Sequence, residues 1–138
     1  MDLFLTMTAA VAGFVHFLYS QHHQDTQLFV SLFKEFNARY DNLNERLNAI
    51  VMRESEILTE DDQKALFDYF NLCAEQYLFY KTGYIDEEIW QSWLAGMKYF
   101  ARKKAIRSLW EADLKFNSYY SFTLKLFEQT GVSRKICD

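Results

Sequence analysis

The sequence predicts an all-α protein: one long N-terminal helix, apolar at its start and heptad-patterned beyond, packed with about three further helices in a bundle. Three observations carry that expectation. The 138 residues contain no proline and four glycines, so little interrupts a helical hydrogen-bond ladder. Half of the residues are hydrophobic and 18% are aromatic, which is enough for one modest core. Apolar residues also recur at steps of three and four over long stretches, the period of a helix face and not of a strand.

The first element opens on LFLTMTAAVAGFVHFLY, from Leu3 to Tyr19, which carries no formal charge. His16 is its one histidine. With Ser20 and Gln21 the uncharged run approaches twenty residues, close to the roughly 30 Å of a hydrocarbon core. Residues 1–22 are therefore expected to form a transmembrane or oligomer-core helix segment. A cleaved signal peptide would begin with basic residues, whereas this chain has Asp2, and Ala9 to Ala12 come too early for a cleavage site. The rival reading is a helix buried inside a soluble oligomer. Thr6, Ala9, Ala12 and Gly13 suit close helix packing in either setting. His16 either lines a pore or snorkels to the interface. Lys34, Arg39, Arg46 and Arg53 all follow the segment, so the positive-inside rule puts the body in the cytoplasm; a wholly cytoplasmic chain is the alternative.

The seam that follows is the clearest periodicity in the chain. Phe29, Phe33, Phe36, Tyr40, Leu43, Leu47 and Ile50 alternate steps of four and three. With no breaker before it, one helix is expected from Leu3 to about Met52. Leu28, Leu32 and Val51 widen the stripe beyond a two-stranded coil and favour a bundle. Arg53 to Thr59 reads as a connection. Thr59 with Asp62 then forms a capping box, and Glu60 and Asp61 also suit a helix N-terminus. The second helix carries Leu66, Phe70, Cys73 and Tyr77 and is expected to close at Gly83 in a left-handed turn. Asp86 is the expected N-cap of the third helix, with Ile85 and Trp90 as a hydrophobic staple. The charged stretch Arg102 to Lys104 is either a break or a polar turn. The fourth helix is expected from Ile106 through Trp110 and Phe122 to Phe127, ending near Gly131, with Ser133 to Asp138 frayed. Residues 23–138 are read as one helical bundle domain.

The inventory for chemistry is short. All three histidines, His16, His22 and His23, lie in or beside the apolar segment, away from any nucleophile or carboxylate of the body. The tandem His22-His23 with Asp25 is either a divalent-ion site between subunits or a solvated turn. There is no Gly-rich phosphate loop and no Glu-x-x-His pair of a di-iron bundle. Capping accounts for Glu60, Asp61 and Asp62. No catalytic residue, metal site or cofactor is therefore expected, and the chain is read as not an enzyme. Cys73 and Cys137 form no disulfide framework, which points to a reducing compartment. The net charge of −4 argues against a general nucleic-acid binder. The basic group Lys98, Arg102, Lys103, Lys104 and Arg107 is the one local exception. It reads either as a contact for anionic lipid, nucleic acid or a protein partner, or as a solvated face balanced by Glu111 and Asp113. Tyr77, Phe79, Tyr80, Tyr84, Trp90 and Trp93 cluster around the turn between the second and third helices, mainly as core.

The stretch YFNLCAEQY from Tyr69 to Tyr77, then Tyr80-Lys81-Thr82-Gly83-Tyr84-Ile85, Trp90, Trp93 and Gly96, with FKEFNARYDNLNERL from Phe33 to Leu47, resembles a diffuse family of small bacterial proteins of unknown function. That resemblance implies an N-terminal membrane helix joined to a helical body, in a bacterial inner membrane, and no catalytic residues. The layout is also remotely similar to the pore-forming membrane accessory proteins of RNA-targeting CRISPR systems. The expected function is a non-enzymatic, membrane-anchored helical module that self-associates, as a membrane-perturbing antiphage effector. The alternative is a soluble or peripheral adaptor acting through the basic group.

Overall fold

The absence of breakers allows α1 to run uninterrupted from Asp2 to Met52, as the sequence predicts. The computed structural model describes residues 2–128, with side chains from Leu5 onward. The expected helix end near Gly131, the residue Cys137 and the fraying at Ser133 to Asp138 lie outside the described residues. Three further α-helices follow, α2 (Glu60–Lys81), α3 (Glu87–Ala101) and α4 (Lys104–Leu114), and then a 3-10 turn at Leu124–Glu128. The described residues contain no strand. The all-α class is as expected.

The chain divides into two compact units, Met1–Glu35 and Phe36–Asp138, so the division falls inside α1. The sequence reading put it at residue 22/23, where the apolar run ends. In the first unit nearly every described side chain is exposed, Leu32 being buried.

The second unit begins where the seam becomes core. Phe36, Leu47 and Ile50 are buried, while Phe33, one seam position earlier, is exposed. α2 buries Leu66, Tyr69, Phe70, Leu72 and Cys73, and α3 buries Trp90, Leu94, Met97 and Phe100. Both show the three-and-four spacing of a single helix face. Phe36 contacts Phe79 of α2 at 5.8 Å and the edge of Trp93 of α3 at 5.7 Å, which ties three helices at one point. Trp110 of α4 is fully buried and sandwiched between Phe70 at 4.5 Å and Phe122 at 5.5 Å, both rings nearly parallel to it. Such pairs add about 0.5–1.5 kcal/mol each beyond the area they bury.

Both ends of α2 follow local chemistry. Thr59 and Asp62 form the expected reciprocal capping box, at 3.1 and 3.0 Å. Gly83 takes φ +91° just beyond α2, a left-handed conformation that glycine adopts without a Cβ clash. Asp86 does stand at the N-cap of α3, but its side chain makes no cap hydrogen bond.

The larger difference lies in the fourth helix. It ends at Leu114, not near Gly131, because the segment after it turns back on itself. Asn117, Tyr120 and Ser121 adopt positive φ, and the Tyr119 hydroxyl donates to the Asp113 carboxylate. Lys81 of α2 donates to the Tyr120 carbonyl at 2.6 Å. The turn brings Phe122 and Phe127 against Trp110, which a continued helix would carry away from it.

Candidate functional site

The N-terminal unit presents an unusual surface for a helix in water. Val11 and Phe14 are each 62% exposed, and Leu5, Val15, Phe17 and Leu18 are also exposed. At about 100° per residue these six side chains spread over roughly two thirds of the helix circumference. A helix that is apolar over so much of its surface needs an apolar environment outside itself. The remaining strip holds Ala9, Gly13, His16 and Ser20 at alternating steps of four and three, with Thr6 at its margin. Ala12 falls outside it, among the large side chains. The strip is small and polar, and Cβ at Gly13 would meet nothing within 4 Å.

Hydroxyl groups along this helix are satisfied locally. Thr8 donates to the Leu5 carbonyl and Thr26 to the His22 carbonyl, both at 2.9 Å. His23 stacks on Tyr19 at 6.5 Å and meets the Gln27 amide at 3.1 Å. The His23 ring is therefore held by its own helix. Among the described residues no group of three His, Cys, Asp or Glu side chains converges as a metal would require. No helix among the described residues is long and apolar enough to cross a membrane. The described apolar run from Leu5 to Tyr19 covers about 22 Å, whereas the sequence run from Leu3 to Gln21 covers about 28 Å.

The five residues of the basic group are not all exposed. Lys103 turns inward, with its side chain only 10% exposed; it pairs with Glu56 at 3.2 Å and donates to the Arg53 carbonyl. Arg107 pairs with Glu111 on the next turn at 3.2 Å. Arg102 and Lys104 are exposed and Lys98 is half-buried. Lys103 is thus part of the scaffold, in a corner that sequence reasoning missed. Glu56, in the connection after α1, also accepts the Ala105 N–H at 2.8 Å, capping α4 from 49 residues upstream. That bond and the Lys103 cation hold the Glu56 carboxyl below its usual range.

A second hidden cluster surrounds Asp62. Its carboxylate is fully buried, faces Arg53 at 2.8 Å and Arg46 at 3.5 Å, and accepts the Thr59 N–H. These partners, Arg53 foremost, hold it well below the ordinary carboxylate range despite the burial. The acidic cluster is a cap, as expected, and also the clamp between the end of α1 and the start of α2. Cys73 is fully buried one turn beyond Tyr69, and burial pushes both pKa values up.

The body also contains a cavity of about 240 Å³. Its walls come from Asn37 and Tyr40 of α1, from Tyr69, Leu72 and Gln76 of α2, and from Ser92, Trp93 and Gly96 of α3. Tyr69, Leu72 and Gln76 are buried, whereas Ser92 is exposed, so α2 forms the floor and Ser92 sits at the mouth. No charged side chain lines it. Sequence reasoning did not single out this site. Its one legible signal is Gln76, a polar residue at the position where the buried face Tyr69-Leu72-Cys73 recurs. The aromatic run is core only in part, since Trp90 is buried, Tyr77, Phe79, Tyr80 and Trp93 are half-buried and Tyr84 is exposed. Tyr80 stacks on Trp90 at 4.8 Å and donates to Glu87, which pushes the phenol pKa up to about 12. Trp93 lines the cavity.

No known family, characterised protein or solved structure matches this chain.

Proposed function

We propose that the protein is a non-enzymatic helical module whose N-terminal helix associates with membrane lipid and with copies of itself, the bundle from Phe36 onward serving as its water-facing body. The observation that carries this reading is the exposure of large apolar side chains around two thirds of the helix from Leu5 to Leu18. At about 25 cal/mol per Å² of apolar surface, leaving them in water is costly. Lipid removes that cost, and so does a helical neighbour.

The shortness of the apolar run favours both together. A span below the bilayer's thickness is accommodated by local thinning, by snorkelling flanks or by association of helices. Tyr19, His22 and His23 supply a polar flank, and the strip of Ala9, Gly13 and His16 allows backbones to approach closely. In such an assembly His16 faces the neighbouring helices and not lipid. A membrane-perturbing role, with the body on the cytoplasmic side of a bacterial inner membrane, extends this reading along the resemblance in layout. Release of dye trapped in vesicles is its direct readout.

Flotation with vesicles of phosphatidylglycerol and phosphatidylethanolamine tests the core of the proposal. The intact chain is expected to float, and chemical cross-linking in the floated fraction is expected to give oligomers. Val11→Lys, costing about 2.5–3.5 kcal/mol at mid-helix, is expected to return most of the protein to the aqueous fraction. A chain that stays in solution as a monomer with or without vesicles would overturn the reading. Oligomers that form equally well without lipid would place the apolar helix in an oligomer core instead.

A further inference from the structure

We propose that the cavity between α1, α2 and α3 is a binding site for a small, neutral, flat ring with an amide-type edge, the chemistry of a nucleobase. The inference concerns the body alone and does not rest on the membrane reading. Its starting point is Gln76, only 6% exposed, which lines the cavity and makes no hydrogen bond to any described residue. Its amide is not sealed from solvent, so it offers a donor and an acceptor at the cavity wall to a molecule that enters. The Asn37 amide shares the cavity and likewise has no hydrogen-bond partner among the described residues.

The lining selects the ligand's chemistry. No Lys, Arg, His, Asp or Glu lines the site, so an ion would lose hydration without gaining a counter-charge. A carboxamide side chain presents a donor and an acceptor side by side, which complements a ring edge carrying both. Tyr40 and Trp93 add aromatic surface, and Leu72 an apolar part of the floor; these suit the faces of a flat ring and give water little to bond. About 240 Å³ is less than the roughly 300 Å³ at which sites for drug-sized ligands begin. One ring system fits that scale, and a charged phosphate has no place inside. The ring can be a free base or the base of a nucleoside whose sugar remains at the mouth beside Ser92.

The test uses the full chain in mild detergent, titrated with adenine, cytosine and uracil, and in parallel with adenosine, cytidine and uridine, by calorimetry and ligand-observed NMR. At least one base or nucleoside is expected to bind saturably. A nucleoside binding as well as its base identifies the nucleoside as the source, and binding of the base alone identifies the free base. Gln76→Leu is expected to weaken binding at least tenfold. Gly96→Leu, where an added Cβ meets nothing within 4 Å, is expected to fill the space and abolish binding. Melting curves establish that each variant is folded, and either site alone is decisive if the other variant fails to fold. Absence of saturable binding by every probe overturns the proposal, as does binding that folded variants leave unchanged.

Discussion

Asp62 shows how much of this fold depends on one carboxylate. It completes the capping box with Thr59 and faces Arg53 and Arg46 from α1. Removing its charge leaves two guanidinium groups without their partner in a half-buried corner. Asp62→Asn is expected to cost about 2 kcal/mol in urea denaturation at pH 7, below the range for fully buried pairs because both arginines reach solvent. The pH dependence follows in sign. The folded-state pKa of Asp62 is depressed, so its contribution is complete above the unfolded value near 4 and is lost as pH falls below it. Wild-type protein should therefore lose more stability between pH 5 and pH 2 than Asp62→Asn does. A second comparison separates the two neighbouring lysines. Lys103→Glu faces Glu56 with like charge and should cost about 1–2 kcal/mol, while Lys104→Glu on the exposed side should stay within about 0.5 kcal/mol. Equal losses for both variants would mean that the inward contacts of Lys103 contribute nothing.

Among the elements, α4 depends most on distant parts of the chain. Its N-cap is Lys103, which makes no side-chain cap bond, and no glycine or proline separates it from α3. The break instead coincides with the Glu56 carboxylate accepting the Ala105 N–H. Glu56→Ala is expected to fray the first turn of α4, raising amide exchange at Ala105 and Ile106 about tenfold while leaving α2 unchanged. At the other end, the Trp110 sandwich holds the return from Asn117 to Phe122. The long third-and-fourth-helix pattern of the sequence conceals this return, because residues that fold back onto Trp110 are as apolar as residues that would continue the stripe. Conversely, α1, the Thr59 box and the Gly83 turn were legible, since each depends on residues within a few positions of itself.

For the whole molecule, the division at Glu35/Phe36 separates a helix with little cover from a body with a packed core. In lipid-free solution, the backbone of residues 5–28 is expected to exchange its amides much faster than α2 and α3. Vesicles of phosphatidylglycerol should slow that segment at least tenfold without changing the body. Protection of the segment in dilute, lipid-free monomer would contradict the assignment of its apolar surface to lipid or copies. The heptad seam did not reveal where this division falls, because Phe29, Phe33 and Phe36 are equivalent in the pattern. They differ only in exposure, which depends on what lies opposite.

The apolar N-terminal helix, its continuity to Met52 and the all-α class follow from the sequence by itself, because composition and periodicity act locally along the chain. Tertiary structure alone decided three other features. It placed Gln76 and Asn37 in one charge-free cavity, drew Arg46 and Arg53 onto Asp62, and ended α4 by folding Phe122 back onto Trp110. Each joins residues distant in the chain, and their side chains carry no local mark of the partner they will meet.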